Sequence, residues 1–139
     1  PRDADPDHAD ARPQPRVVSA PPSPFDPLAA AQRMLDAADP TTASGWPRAT
    51  ALLARQALED ALAKLWAQRA PGVEKVPMRA QLACLPAYLS DPELASEAAY
   101  AWHALSRAIH HHPYELDPTR EELASLLRSV RRFAAAVDA

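Results

Sequence analysis

Residues 118–137 read Pro-Thr-Arg-Glu-Glu-Leu-Ala-Ser-Leu-Leu-Arg-Ser-Val-Arg-Arg-Phe-Ala-Ala-Ala-Val and carry the clearest structural signal in the chain. Their apolar side chains recur every three or four residues, which is the spacing of one face of an α-helix. These side chains are Leu123, Leu126, Leu127, Val130, Phe133, Ala134 and Val137. Polar and charged residues fill most of the positions between them. The stretch therefore predicts an amphipathic helix that buries its apolar face against other helices.

The same spacing recurs in two earlier segments, residues 47–70 and 92–111. The apolar stripes are Leu58, Leu62 and Leu65 with Leu52 and Trp66 beside them, and Leu94, Ala98, Ala101, Leu105, Ala108 and Ile109. No segment shows the strict alternation of apolar and polar residues that is typical of a half-buried strand. The sequence predicts an all-α protein.

Helix starts are marked by three Asp-Pro pairs, Asp26-Pro27, Asp91-Pro92 and Asp117-Pro118. In such a pair the aspartate accepts hydrogen bonds as the N-cap, and proline presets the backbone of the first helical residue. Two more helices are expected to begin at Pro47 and at Pro77, the latter after the break at Pro71-Gly72. The expected helices are therefore 27–38, 47–70, 77–89, 92–111 and 118–137. Pro86 is expected to kink or split the third helix. Five helices joined by short loops predict an antiparallel bundle over residues 25–139.

Residues 1–24 differ in composition from the rest of the chain, because they are rich in proline mixed with charged residues. We expect a disordered tail there. The chain has one cysteine and no apolar run long enough to cross a membrane, which favours a soluble, cytoplasmic protein without disulfides. Its net charge is -3, so any binding of nucleic acid must depend on a local patch.

One short segment concentrates side chains that are able to carry chemistry. Residues 106–114 read Ser-Arg-Ala-Ile-His-His-His-Pro-Tyr, at the expected end of the fourth helix. The candidate site residues are Arg107, His110, His111, His112 and Tyr114, with Tyr100 and His103 on the same helix face as Arg107. An arginine binds phosphate through two hydrogen bonds, and a histidine gives and takes protons near neutral pH. His112 precedes Pro113 and is expected to leave the helix.

Other interpretations of these residues involve no catalysis. Arg107 is also expected to pair with Glu97, Glu115 or a helix carbonyl if it is an ordinary surface arginine. A metal site is disfavoured, because consecutive helical residues point about 100° apart and the three histidines therefore diverge.

Outside this segment, simple structural interpretations are favoured for three kinds of residue. Trp46, Trp66 and Trp102 fit core or interface positions, and Cys84 fits a small buried filler. Arg128, Arg131 and Arg132 are interpreted as complements to the dipole of the last helix, in preference to an RNA patch.

In its order and spacing, the motif Arg107, four residues, His112, one residue, Tyr114 resembles that of HEPN domains. The resemblance is specifically to the toxins of HEPN/nucleotidyltransferase toxin–antitoxin pairs. The wider sequence also resembles a small bacterial HEPN family, at residues 54–59, 102–105 and 117–119. This resemblance covers most of the bundle but not the tail. Arg2 and His8 meet the looser family spacing by chance.

The resemblance implies a helical bundle that forms a homodimer and cleaves RNA as a metal-independent RNase, with no cofactor. Arg107 would bind the scissile phosphate, and His112 would act as general acid or base. Tyr114 would stack a base or position His112, and it would also be the site at which a nucleotidyltransferase antitoxin attaches AMP. His110 and His111 would contact substrate or serve regulation. Many members have a polar residue after the arginine where this chain has Ala108, so the alternative is a non-catalytic HEPN bundle that binds RNA, a nucleotide or a protein partner.

Overall fold

A computed structural model describes residues 25–39, 45–110 and 114–139. The helices in these ranges are α1 (Pro27–Asp36), α2 (Trp46–Arg69), α3 (Met78–Cys84), α4 (Pro92–Ile109) and α5 (Arg120–Asp138). Two short 3₁₀ turns, Val73–Lys75 and Leu85–Ala87, flank α3. No strand occurs in these ranges, so the all-α prediction is confirmed. No helix in the part of the chain that the structure describes is long and apolar enough to cross a membrane.

Helix α2 lies at the centre of the bundle and contacts α1, α4 and α5. Its buried face carries Leu58, Leu62, Leu65 and Trp66, as the apolar stripe predicted. The predicted stripes of α4 and α5 also face the core, where Leu105, Val130 and Phe133 are fully buried. These helices therefore share one hydrophobic core.

Leu52 was expected beside that stripe, and this prediction is wrong, because Leu52 is 50% exposed. The upstream half of the buried α2 face consists of Thr50, Ala51, Ala54 and other small residues. A neighbouring helix can approach these small side chains closely, whereas Leu52 lies about 100° around the helix from Ala51. Alanines, and not large apolar residues, therefore mark the buried face in the upstream half of α2.

Two of the three predicted aspartate caps are confirmed. Asp26 Oδ1 accepts from the backbone N–H groups of Leu28 and Ala29, both at 3.1 Å. Asp91 Oδ1 accepts from Glu93 N at 3.0 Å and Leu94 N at 3.3 Å. Both caps satisfy helix donors that have no partner within the helix.

The third cap was assigned to the wrong residue, since α5 begins at Arg120 and its N-cap is Thr119, not Asp117. Thr119 Oγ1 accepts from Glu122 N, and Glu122 Oε2 accepts from Thr119 N, each at 3.1 Å. This reciprocal capping box satisfies one backbone donor with the Thr119 hydroxyl and a second with the Glu122 carboxylate, and it takes the place of the predicted aspartate cap. The helix therefore begins two residues later than predicted.

Pro86 splits the third helix as predicted, because α3 ends at Cys84 and a 3₁₀ turn continues over Leu85–Ala87. The expectation that Cys84 is buried is wrong, since its side chain is exposed. Within this segment Leu82 and Leu85 supply the buried contacts. Cys84 thus lies on the solvent-exposed side of the short helix, together with Arg79, Ala80 and Ala83.

The interpretation of the α5 arginines as complements to the helix dipole is wrong, and two of them join helices instead. None lies in the last turn of α5. Arg132 forms ion pairs with Asp91 at 3.1 Å and Glu97 at 2.6 Å, and Arg131 donates to Gln32 Oε1 at 3.0 Å. These contacts connect α5 to the first half of α4 and to α1.

A buried glutamine connects α3 to α2 and to the loop between them. Gln81 Oε1 accepts from the indole N–H of Trp66 at 2.9 Å. Its Nε2 donates to the carbonyl oxygens of Val76 at 2.9 Å and Glu74 at 3.2 Å. Three polar groups therefore depend on one side chain that is 6% exposed.

We expect Gln81→Leu to lower the free energy of unfolding by about 2 kcal/mol, because the buried indole N–H of Trp66 loses its acceptor. Urea denaturation followed by tryptophan fluorescence measures this change. Gln68→Leu, at an exposed position of α2, is the control and should shift the midpoint little. Equal midpoints for the two variants would contradict the role given to Gln81.

We expect Thr119→Ala to lower the free energy of unfolding by about 1 kcal/mol, since the hydroxyl that caps α5 is lost. Thr119→Ser keeps that hydroxyl and should retain wild-type stability. Thermal unfolding followed by circular dichroism at 222 nm compares the three proteins. If alanine and serine behaved alike, the capping box would not stabilise α5.

Candidate functional site

The candidate segment lies at the end of α4, which terminates at Ile109, two residues earlier than predicted. His110 is the C-cap and donates its backbone N–H to Ser106 O at 3.1 Å. Arg107 lies in the last turn, and both Arg107 and His110 are exposed. His111 and His112, which were also predicted as site residues, lie outside the described residues.

The exposed surface of α4 brings two of the predicted side chains into one groove. Tyr100 and Arg107 are seven residues apart, which places them on the same side of the helix two turns from each other. Both line the groove, and Tyr100 is 65% exposed. His103 does not line it, and its ring instead packs edge-on against Trp102 with centroids 5.2 Å apart.

We call this cavity the α4–α5 groove. It has a volume of about 580 Å³ and lies between the second half of α4, the loop before α5 and the first turns of α5. Its lining consists of Tyr100, Ala104, Arg107, Ala108, Glu115, Leu116, Pro118, Glu122, Ser125 and Leu126. One basic, two acidic and several apolar side chains thus face the same space.

The guanidinium of Arg107 forms no hydrogen bond or ion pair with any residue in 25–39, 45–110 or 114–139. The expected pairing with Glu97 is absent from those ranges because Glu97 binds Arg132 at 2.6 Å. Glu115 lines the same groove without pairing with Arg107 there. The donors of this guanidinium are therefore available to a ligand within the part of the chain that is described.

The two carboxylates of the groove differ in their surroundings. Glu122 uses Oε2 in the capping box with Thr119, while Glu115 is an exposed loop residue. Neither residue was predicted to line a groove. Glu115 was expected only as a possible partner of Arg107. Their approach to α4 depends on the path of the loop, for which the sequence carries no periodic signal.

Tyr114, the third residue of the motif, is 98% exposed and follows the undescribed residues 111–113. Leu116, two residues later, is also 98% exposed and lines the α4–α5 groove. The phenol of Tyr114 is open to solvent. The loop that leads into α5 thus carries accessible aromatic and aliphatic side chains.

A polar cluster joins α4 to α2 on the side away from the groove. The indole N–H of Trp102 donates to Glu59 Oε1 at 3.2 Å, and Arg55 Nη1 donates to Ser106 Oγ at 3.4 Å. Arg55 Nε also lies 3.6 Å from Glu59 Oε1. The contacts orient α4 about its axis, so that Tyr100 and Arg107 face away from α2.

Trp66, by contrast, is fully buried in the core, as expected.

Within the described ranges, no three His, Cys, Asp or Glu side chains are grouped as metal ligands would be. Comparisons of the chain with models of protein families, with curated proteins and with solved structures found no match. The features of this chain that point to a function are therefore the residues of the α4–α5 groove and the motif that ends at Tyr114.

Proposed function

We propose that this chain is a HEPN-type bundle that cleaves RNA as a metal-independent endoribonuclease. The observation that carries the proposal is Arg107, which is exposed, lines a groove and has no partner among the described residues. The ordered motif of Arg107, His112 and Tyr114 supports the same function. The all-α architecture agrees with what that resemblance implies.

Arg107 binds the scissile phosphate in this mechanism. A guanidinium presents parallel N–H groups that match two phosphate oxygens, and it keeps its charge throughout the physiological pH range. During attack, negative charge builds up on the non-bridging oxygens. A fixed positive charge beside them stabilises the transition state more than the ground state, which is the requirement for catalysis.

His112 supplies the proton transfer. The ribose 2′-oxygen attacks phosphorus in line with the departing 5′-oxygen, and the P–O5′ bond breaks as the new P–O2′ bond forms. His112 takes the proton from the 2′-hydroxyl, or gives one to the 5′-oxygen, as general base or acid. The products are a 2′,3′-cyclic phosphate and a 5′-hydroxyl. DNA lacks the 2′-hydroxyl and is not a substrate.

A homodimer would supply a second Arg107 and a second His112, which one subunit lacks. Each α4–α5 groove holds a single arginine beside Glu115 and Glu122, in a chain of net charge -3. Because phosphate neutralisation provides much of the affinity for RNA, one such arginine is a weak anchor. Two copies that share a cleft would present two Arg107 and two His112 side chains, and one histidine would act as base while the other acts as acid.

Control by a nucleotidyltransferase antitoxin is part of the proposal. Tyr114 Oη would attack the α-phosphorus of ATP, forming tyrosyl-AMP and releasing pyrophosphate. The 98% exposure of Tyr114 supports access by such an enzyme. The attached phosphate would add negative charge near Arg107 and repel the RNA backbone.

The second candidate function is binding without cleavage, in which the bundle holds RNA, a nucleotide or a protein partner. Ala108 favours it, because this half-buried residue lines the groove with a methyl group where many HEPN domains place a polar side chain. Glu115 and Glu122 favour it too, since carboxylates beside the phosphate site oppose the charge that builds up during cleavage.

We expect the full chain to cleave a mixed RNA pool in EDTA and to leave 2′,3′-cyclic phosphate ends. Arg107→Ala should lower the rate at least about 100-fold through the loss of transition-state charge stabilisation. His112→Ala should lower it at least about 100-fold through the loss of proton transfer. The 3′ ends are identified by mass spectrometry of the fragments.

Matched controls for this assay are Arg128→Ala, which removes an exposed arginine of α5, and His8→Ala, which removes the histidine of the chance Arg2/His8 pair. Both controls should cleave like the wild type. Equal inactivity of all five proteins, with circular dichroism unchanged and an intact mass that shows no AMP, would favour the binding function. Cleavage that survives Arg107→Ala would contradict the assigned site.

We expect sedimentation to give a mass twice the 15.1 kDa of one chain. If the cleft is shared, a mixture of Arg107→Ala and His112→Ala subunits should recover part of the activity, because a mixed dimer has one intact copy of each residue. A monomer that cleaves RNA at the full rate would contradict the shared cleft.

A further inference from the structure

We propose that the α4–α5 groove is a nucleobase subsite, in which Tyr100 stacks on an unpaired base and the carboxylates recognise its amino groups, guanine fitting best. Arg107 holds a phosphate of the same RNA strand. This inference rests on the proposed function, since it names the RNA feature that the site recognises. It goes beyond that function because the base is bound whether or not the RNA is then cleaved.

The spacing of Tyr100 and Arg107 matches a nucleotide. Seven helical residues separate them by about 10 Å along the axis and bring them nearly into line. That span exceeds what a lone phosphate fills, but it suits a base at one end and a phosphate at the other. Exposed aromatic rings stack on bases of single-stranded RNA, which are unpaired and accessible.

The floor between these two side chains is low and apolar. Ala104 and Ala108 present only methyl groups to the groove, and the buried Leu126 of α5 also lines it. Leu116 and Pro118 add apolar surface from the loop before α5. The volume of about 580 Å³ falls in the usual range for small-molecule sites, about 300–1,000 Å³. A base has apolar faces that fit between such walls.

The acceptors in the groove recognise one edge of the base. Glu115 has a carboxylate in the groove, and Glu122 has its Oε1 atom, which accepts no hydrogen bond from the described residues. Carboxylate oxygens accept from the amino groups of cytosine and adenine. Guanine presents an N1–H and an N2 amino group side by side, which suits two oxygens. Uracil presents no amino group and is disfavoured.

The charge distribution also favours a nucleotide over other occupants. The two carboxylates outnumber the one guanidinium, so the groove as a whole opposes the entry of a polyanion. Together, the carboxylates and the guanidinium favour a ligand that is anionic at one end and rich in hydrogen-bond donors at the other. A nucleotide of single-stranded RNA has both properties, and its apolar base faces match Tyr100 and the alanine floor.

The test is fluorescence anisotropy of the full chain with a labelled RNA of seven nucleotides, all 2′-O-methylated so that cleavage is blocked. The central base is guanine, inosine, adenine, cytosine or uracil, and the others are uracil. Guanine should bind about tenfold or more tightly than uracil. Inosine, which lacks the 2-amino group, should bind between the two.

Variants of the groove assign that preference to its residues. Tyr100→Ala should lower the affinity for the guanine RNA about tenfold, and Tyr100→Phe should restore most of it because the ring still stacks. Glu122→Gln retains the capping box and should reduce the preference for guanine over inosine. Glu121→Gln makes the same change of charge at an exposed neighbour outside the groove and should leave the preference unchanged. Phe25→Ala is the matching control for an exposed aromatic.

The outcomes separate this inference from the nuclease proposal. A guanine preference that depends on Tyr100 in a protein that leaves no cyclic-phosphate ends would support the subsite and refute the nuclease. Cleavage that requires Arg107 but shows equal affinity for guanine and uracil would overturn the subsite alone. Absence of binding also overturns it. A Tyr100→Ala variant that changes the sedimentation mass but not the RNA affinity would mean that a second copy of the chain covers the groove.

Discussion

Close approach of three helices to α2 is the constraint on which the rest of the structure depends. The upstream half of the buried α2 face is built from small residues such as Ala51 and Ala54, and its downstream half from leucines and Trp66. Small side chains let neighbouring helices come near, while the large ones fill the wider end. Since α4 and α5 both pack on this helix, the outward side of α4 meets the start of α5, and the groove forms at their junction.

Much of the fold was predictable from local chemistry. The caps at Asp26 and Asp91 and the split at Pro86 follow from backbone geometry within a few residues, which a sequence displays directly. Thr119 was missed because its capping box competes with an Asp-Pro pair two residues earlier, and each arrangement can satisfy two backbone donors, so local chemistry alone does not choose between them. Leu52 was misplaced because the core side of a helix can be marked by alanines as well as by leucines.

The candidate site was predictable only along one helix. Spacing alone placed Tyr100 and Arg107 on one side of α4, and the structure brings both into the groove. The same spacing also included His103, which turns to Trp102 instead. Glu115 and Glu122 reach the groove from another helix and a loop, so their arrival depends on how α5 packs. Contacts between distant parts of a chain have no periodic signature in a single sequence.

Asp91 performs two tasks with two oxygen atoms. Oδ1 caps α4, and Oδ2 binds Arg132 of α5 at 3.1 Å. The first turn of α4 therefore cannot fray without weakening its hold on α5, and α5 cannot separate there without disturbing the cap. Local helix formation and long-range docking are coupled through one carboxylate, which favours opening of this end of the bundle as a single cooperative unit.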